Sequence, residues 1–144
     1  MKWVLLAALL SGAAVAQPRH LAVLCYHQIN NKADTEMVTT PARFREQMDF
    51  LQKQGYQTVT LDQAQRFLQG KLPRKEVARP VLITFDDGYD GVFRYAYPQL
   101  KKRKMKAVTF LVVSQVDRMM PTAHLTRAQL REMSSSGVFE FGSH

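Results

Sequence analysis

Residues 81–89, Val-Leu-Ile-Thr-Phe-Asp-Asp-Gly-Tyr, decide how this chain reads. The apolar run has the length of a buried strand and ends abruptly in two adjacent carboxylates and a glycine. Carboxylates beside a dry core are costly unless a metal, a cation or dense hydrogen bonding compensates them. Neighbouring residues on a regular strand point to opposite faces. Asp86 and Asp87 can therefore serve one site only where the backbone turns, and Gly88 permits such a turn. The carboxyl end of a parallel strand is where α/β folds gather ligand sites. An aspartate here also suits a helix cap or a turn, so that reading of Asp87 stands beside the functional one.

Outward from this strand, short apolar segments alternate with helices. Leu21–Tyr26 reads as the first strand. Thr40-Pro41 opens a helix in cap-then-proline order, with Phe44, Met48 and Leu51 on one face and Gly55 at its end. Gln57–Thr60 is a short strand. Thr60 and Gln63 form a capping box for a helix whose apolar face is Leu61, Ala64 and Leu68. After the connector 71–80, the central strand leads into a helix around 92–104, which Pro98 is expected to kink or split. Ala107–Val113 is another buried strand. Thr126 and Gln129 form a second capping box, flanked by Leu125 and Leu130 as a hydrophobic staple. Phe139-Glu140-Phe141-Gly142-Ser143-His144 is a short strand that runs into a small-residue turn and a histidine. Strand–helix–strand order implies parallel pairing. The fold class is α/β with about five strands, against the eight of a closed (β/α) barrel.

Thr84-Phe85-Asp86-Asp87-Gly88-Tyr89 resembles the signature of the polysaccharide deacetylase family, the metal-dependent carbohydrate esterases of family four. The resemblance implies Asp86 as catalytic base and Asp87 as a metal ligand. Gly142-Ser143-His144 is similar to the start of the family's His-[Ser/Thr]-x-x-His motif, which implies His144 as a second ligand and zinc as the divalent ion. By the same resemblance, residues 17–144 are the N-terminal part of a catalytic domain with a distorted barrel. The second histidine ligand, an Arg-containing segment and a downstream general-acid histidine are expected past His144. A chain with these residues alone is expected to be poorly stable and inactive.

Leu24-Cys25-Tyr26-His27, Phe44-Arg45-Glu46-Gln47-Met48, Gly55-Tyr56 and Tyr97-Pro98-Gln99-Leu100 are similar to segments of exported poly-N-acetylglucosamine deacetylases. The implied partner is an acetylated polysaccharide, foremost a β-1,6-linked N-acetylglucosamine polymer, with chitooligosaccharide, peptidoglycan and xylan as alternatives. A non-catalytic carbohydrate-binding relative is the rival from another class. A phosphatase with an aspartate nucleophile separates its two acids by one residue, unlike the contiguous Asp86-Asp87. His27 ends a strand on the presumed active face and is left outside the expected site, as touching substrate and filling a structural role weigh equally.

Met1–Ala16 reads as a secretory signal peptide: Lys2, an apolar run from Trp3 to Leu10, and Ala14-Val15-Ala16 as the cleavage pattern. The mature chain is expected to begin at Gln17 and to be periplasmic or extracellular. The apolar run is shorter than the roughly 20 residues of a transmembrane helix, and none is expected in the mature chain. The only cysteine, Cys25, excludes an internal disulfide and reads as a small hydrophobe on the first strand. The net charge of +8 is concentrated in Lys101-Lys102-Arg103-Lys104 with Lys106. At a helix C-terminus such cations favour the dipole, and together with export this argues against a nucleic-acid partner.

Overall fold

The computed structural model describes residues 19–32 and 35–144. The expected signal peptide and its cleavage point lie outside the described residues. Four strands run side by side in the order β1 (Ala22–Tyr26), β5 (Pro80–Phe85), β6 (Ala107–Leu111) and β7 (Phe139–Ser143). A short β4 (Gln57–Thr58) pairs with the N-terminal part of β5. Every pairing in this sheet is parallel, as the alternating pattern predicts. A two-residue ribbon of β2 (Gln28–Ile29) with β3 (Val38–Thr39) stands apart and has no clear sequence signature.

Strand β5 is buried along its whole length, because both faces of the sheet are covered. On one face Val81, Ile83 and Phe85 meet Phe44, Met48 and Leu51 of α1 (Pro41–Lys53), with Leu100 and Phe139 in the same cluster. Tyr26, Phe44, Phe85 and Phe139 form a chain of ring contacts with centroids 5.2–5.8 Å apart. The Tyr26 hydroxyl donates to Gln47 Oε1 at 2.9 Å, and burial pushes its pKa up to about 12. On the other face Leu82 and Val108 meet Val59, Ala64, Phe67 and Leu72.

The helix ends follow the predicted caps. Thr40 accepts from the Arg43 amide at 3.2 Å, and both capping boxes, Thr60 with Gln63 and Thr126 with Gln129, are formed. These open α2 (Leu61–Leu68) and α4 (Arg127–Ser135). The face of α2 differs from expectation. Ala64 and Phe67 point inward, while Leu61 and Leu68 are 38% and 54% exposed. The bulkiest apolar side chain of the helix, Phe67, takes the sheet contact, and the Arg19 guanidinium sits over its ring. Pro98 splits its helix as predicted: a π-helical turn, Val92–Ala96, changes at Tyr97 into α3 (Tyr97–Arg103). Lys101, Lys102 and Arg103 lie in the last turn of α3, where Arg103 bonds Asp49 of α1.

Two backbone-close positions test this packing. A Cβ on Gly91 would lie 1.9 Å from the Ile29 carbonyl oxygen, and backbone there cannot swing aside. Gly91→Ala should destabilise the fold by about 3 kcal/mol. The Thr109 hydroxyl is fully buried without a hydrogen-bond partner among the described residues. Thr109→Val keeps its shape and should stabilise by about 1 kcal/mol. Urea unfolding of both variants measures the pair, and opposite signs from these would refute the packing described.

Candidate active site

The strand ladders determine which side chains meet at the carboxyl edge of the sheet. The Asp86 amide donates to the Tyr26 carbonyl at 2.8 Å, and the His144 amide to the Leu111 carbonyl at 3.0 Å. Each residue is thus the first one past the end of its strand, β5 and β7 respectively. The ladders bring Asp86, Asp87 and His144 together: His144 Nε2 lies 3.6 Å from Asp86 Oδ2 and 3.9 Å from Asp87 Oδ1.

The turn that brings two adjacent carboxylates to one place differs in detail from expectation. Asp87 itself carries the positive φ, +68°, followed by Gly88 at +77°. The Gly88 amide donates back to the Asp86 carbonyl at 2.9 Å, a three-residue γ-turn centred on Asp87. An L-residue in this region stores strain that surrounding structure must hold. Gly88 is required on two counts: its φ, and the Leu111 side chain, whose Cδ2 would lie 2.7 Å from an added Cβ. The helical turn that follows has no side-chain cap bond, so Asp87 does not serve as its cap.

A second layer holds the turn. The Gly88 carbonyl accepts from the Leu125 amide at 2.8 Å, and the Asp90 amide donates to the Ala123 carbonyl at 3.0 Å. The buried Asp90 carboxylate accepts from Gln129 Nε2 at 2.7 Å and pairs with Arg94. Gln129 is therefore both the capping-box partner of Thr126 and a support of the motif loop. Tyr89 stacks on His124 with centroids 4.8 Å apart. Burial first, and then the adjacent Asp87 carboxylate, push the Tyr89 phenol upward. Asp87, Tyr89, Arg118, Pro121 and His124 line part of an open cleft of about 360 Å³.

Two residues join the site that were not placed in it from sequence: Cys25, read as a small core hydrophobe, and His27, read on the presumed active face but left outside the site. Cys25 is not a core hydrophobe: period two sends Tyr26 into the core and leaves Cys25 exposed on the opposite face. Its Sγ lies 3.5 Å from Asp86 Oδ2. Ligand atoms of Cys25, His27 and Asp86 all fall within 4.8 Å of one another. The signal for this was the spacing Cys-x-His running off the end of β1 against Thr-x-Asp running off the end of β5, but it becomes readable only once Cys25 is paired with Thr84.

Residues 74–144 match the family profile described as polysaccharide deacetylase. The chain is 37% identical over 123 residues to YxkH of Bacillus subtilis, covering 85% of this chain and 41% of that protein. It is 30% identical over 105 residues to the poly-beta-1,6-N-acetyl-D-glucosamine N-deacetylase of Staphylococcus aureus, covering 72% and 35%. The structure superposes on IcaB from Ammonifex degensii with a TM-score of 0.78 at 35% identity, over 89% of this chain and 54% of that one. The chain thus spans less than half the length of these two curated relatives.

Cys25 reports on the local field. Partial burial first, and then the Asp86 and Asp87 carboxylates, push its thiol up, while a Thr84 hydrogen bond acts the other way. A raised pKa means less thiolate at any given pH, so iodoacetamide should react more slowly than with a free cysteine of pKa about 8.5. The deficit should vanish as pH rises past the raised value. Asp86→Asn should speed alkylation near pH ~8.5; an unchanged rate would place the thiol outside the carboxylates' field.

Proposed function

This chain belongs to the polysaccharide deacetylase family, and we propose that it carries the metal-dependent part of an N-deacetylase acting on an N-acetylglucosamine polysaccharide. The observation that carries this reading is the meeting of Asp86, Asp87 and His144 at one strand edge. The likeness to the S. aureus enzyme favours a β-1,6-linked polymer over chitooligosaccharide, peptidoglycan or xylan. The expected signal peptide fits a polymer met outside the cytoplasm, and no described helix is long and apolar enough to cross a membrane.

The donor set fits a divalent cation. Zinc–nitrogen and zinc–oxygen bonds are each about 2.0–2.2 Å, so the 3.9 Å between Asp87 Oδ1 and His144 Nε2 lets one ion contact both. A carboxylate with an imidazole suits zinc. Asp87 and His144 would hold the ion, and its contribution when bound is Lewis-acid: activating water near neutral pH and polarising the acetamide carbonyl.

Asp86, beside His144 and half-buried, receives the proton of the attacking water. Expulsion of the amine then needs a proton donor. With His144 given to the ion, the imidazole that remains beside Asp86 among the described residues is His27. In the protein that carries this segment, His27 protonates the departing nitrogen, leaving acetate and a free glucosamine.

The two aspartates separate in one experiment, with metal content and acetate release measured side by side in that protein. Asp86→Asn should retain metal and lose about a hundredfold or more of turnover, since an amide accepts no proton. Asp87→Asn should lose metal. Near-normal turnover in Asp86→Asn, or unchanged metal affinity in Asp87→Asn, would refute the division of labour.

A further inference from the structure

Cys25 has no part in the reaction outlined above, yet the fold sets its sulfur against the group assigned as base. The cause is ladder register. Cys25 pairs with Thr84 and Tyr26 with Phe85, and the Asp86 amide extends the ladder to the Tyr26 carbonyl. With a period of two, Cys25 on β1 and His27 just past its end fall on one face, and Thr84 on β5 and Asp86 just past its end fall on the same face. A thiol, an imidazole and a carboxylate thereby converge, with their ligand atoms within 4.8 Å of one another. In a tetrahedral shell with a metal–sulfur bond near 2.3 Å and metal–oxygen or metal–nitrogen bonds near 2.1 Å, neighbouring ligand atoms sit roughly 3.4–3.6 Å apart. The 3.5 Å between Cys25 Sγ and Asp86 Oδ2 already has that value.

We propose that Cys25, His27 and Asp86 form a second metal site, for a thiophilic divalent cation such as zinc in excess or cadmium, distinct from the Asp87–His144 pair. Sulfur, nitrogen and oxygen donors together select a borderline or soft ion over magnesium or calcium. Among the described residues this trio is the group of three such side chains that meets so closely. Cys25 is exposed and His27 and Asp86 are half-buried, so an ion enters without unfolding the chain. On binding, the sulfur–metal bond forms as the thiol proton leaves to solvent. Asp86 Oδ2 lies 3.5 Å from Cys25 Sγ and 3.6 Å from His144 Nε2, so this carboxylate stands between the two sites. If the deacetylase reading holds, occupation of the second site ties up both its base and its proton donor. The binding claim itself stands apart from that reading.

The test is titration of the protein that carries this segment with cadmium alone, followed by the ultraviolet charge-transfer band of a cadmium–thiolate bond and by protection of Cys25 from iodoacetamide. The unaltered protein should develop a band with the amplitude of one cadmium–thiolate bond per chain, and Cys25 should become protected. Cys25→Ser should lose the band. His27→Ala and Asp86→Ala should each raise the cadmium midpoint at least about tenfold, while Asp87→Asn should leave it within about twofold, far inside that range. Absence of both band and protection in the unaltered chain would overturn the proposal. So would midpoints unmoved by His27→Ala and Asp86→Ala, which would mean a thiol binding on its own. A band lost in Asp87→Asn would likewise overturn it, by merging the two sites into one. Because no arm depends on turnover, failure here leaves the deacetylase reading intact, and the reverse also holds.

Discussion

The hydrogen bond from the Asp86 amide to the Tyr26 carbonyl, 2.8 Å long, is the contact on which the rest of the site depends. It is the last rung of the β1–β5 ladder, and it stops β5 one residue before the chain turns. Behind it, β5 is buried on both faces, so its register cannot slip by one residue without driving Asp86 towards the aromatic core and Phe85 out of it. The cluster of Tyr26, Phe44, Phe85 and Phe139 therefore holds the carboxylates in place from below. The equivalent rung from His144 to Leu111 ends β7. Two strands in one sheet thus deliver acid and imidazole to the same edge.

The strain at Asp87 belongs to the same logic. Adjacent residues on a strand diverge, so a shared site needs a reversal between them, and the γ-turn supplies it at an L-residue with φ of +68°. Such a conformation typically costs on the order of 1–3 kcal/mol. The bonds that offset it come from further along the chain: Leu125 to Gly88, Asp90 to Ala123, and Gln129 to Asp90. The segment 117–129 thus acts as a brace for the motif loop, and its capping box and apolar Leu125 keep that brace attached to the core.

Much of this was legible before the fold was known. Strand and helix order, both capping boxes, the split at Pro98 and the pairing of Asp86-Asp87 with His144 all follow from local chemistry or from one specific string. What escaped depends on long-range register. Whether α2 presents Leu68 or Phe67 is decided by where Leu82 and Val108 lie, and nothing within the helix encodes that. Cys25 reads as an ordinary apolar strand residue until its face is known. His27 gains its neighbour Asp86 only through the β1–β5 pairing, across 59 positions of sequence. The strain likewise sits on Asp87, an L-residue at positive φ, and not on the glycine that explains only part of the turn.

The claim at the centre of this account is that Asp87 and His144 face each other across a cation while Asp86 stands beside them, free to take a proton. Anomalous diffraction at the zinc edge, from crystals of the protein grown with zinc, tests it directly. The account predicts a peak in contact with Asp87 Oδ1 and His144 Nε2, with Asp87 still at positive φ. A zinc peak held by Cys25 and His27 with none between Asp87 and His144, or an Asp87 relaxed to negative φ and turned to solvent, would contradict it.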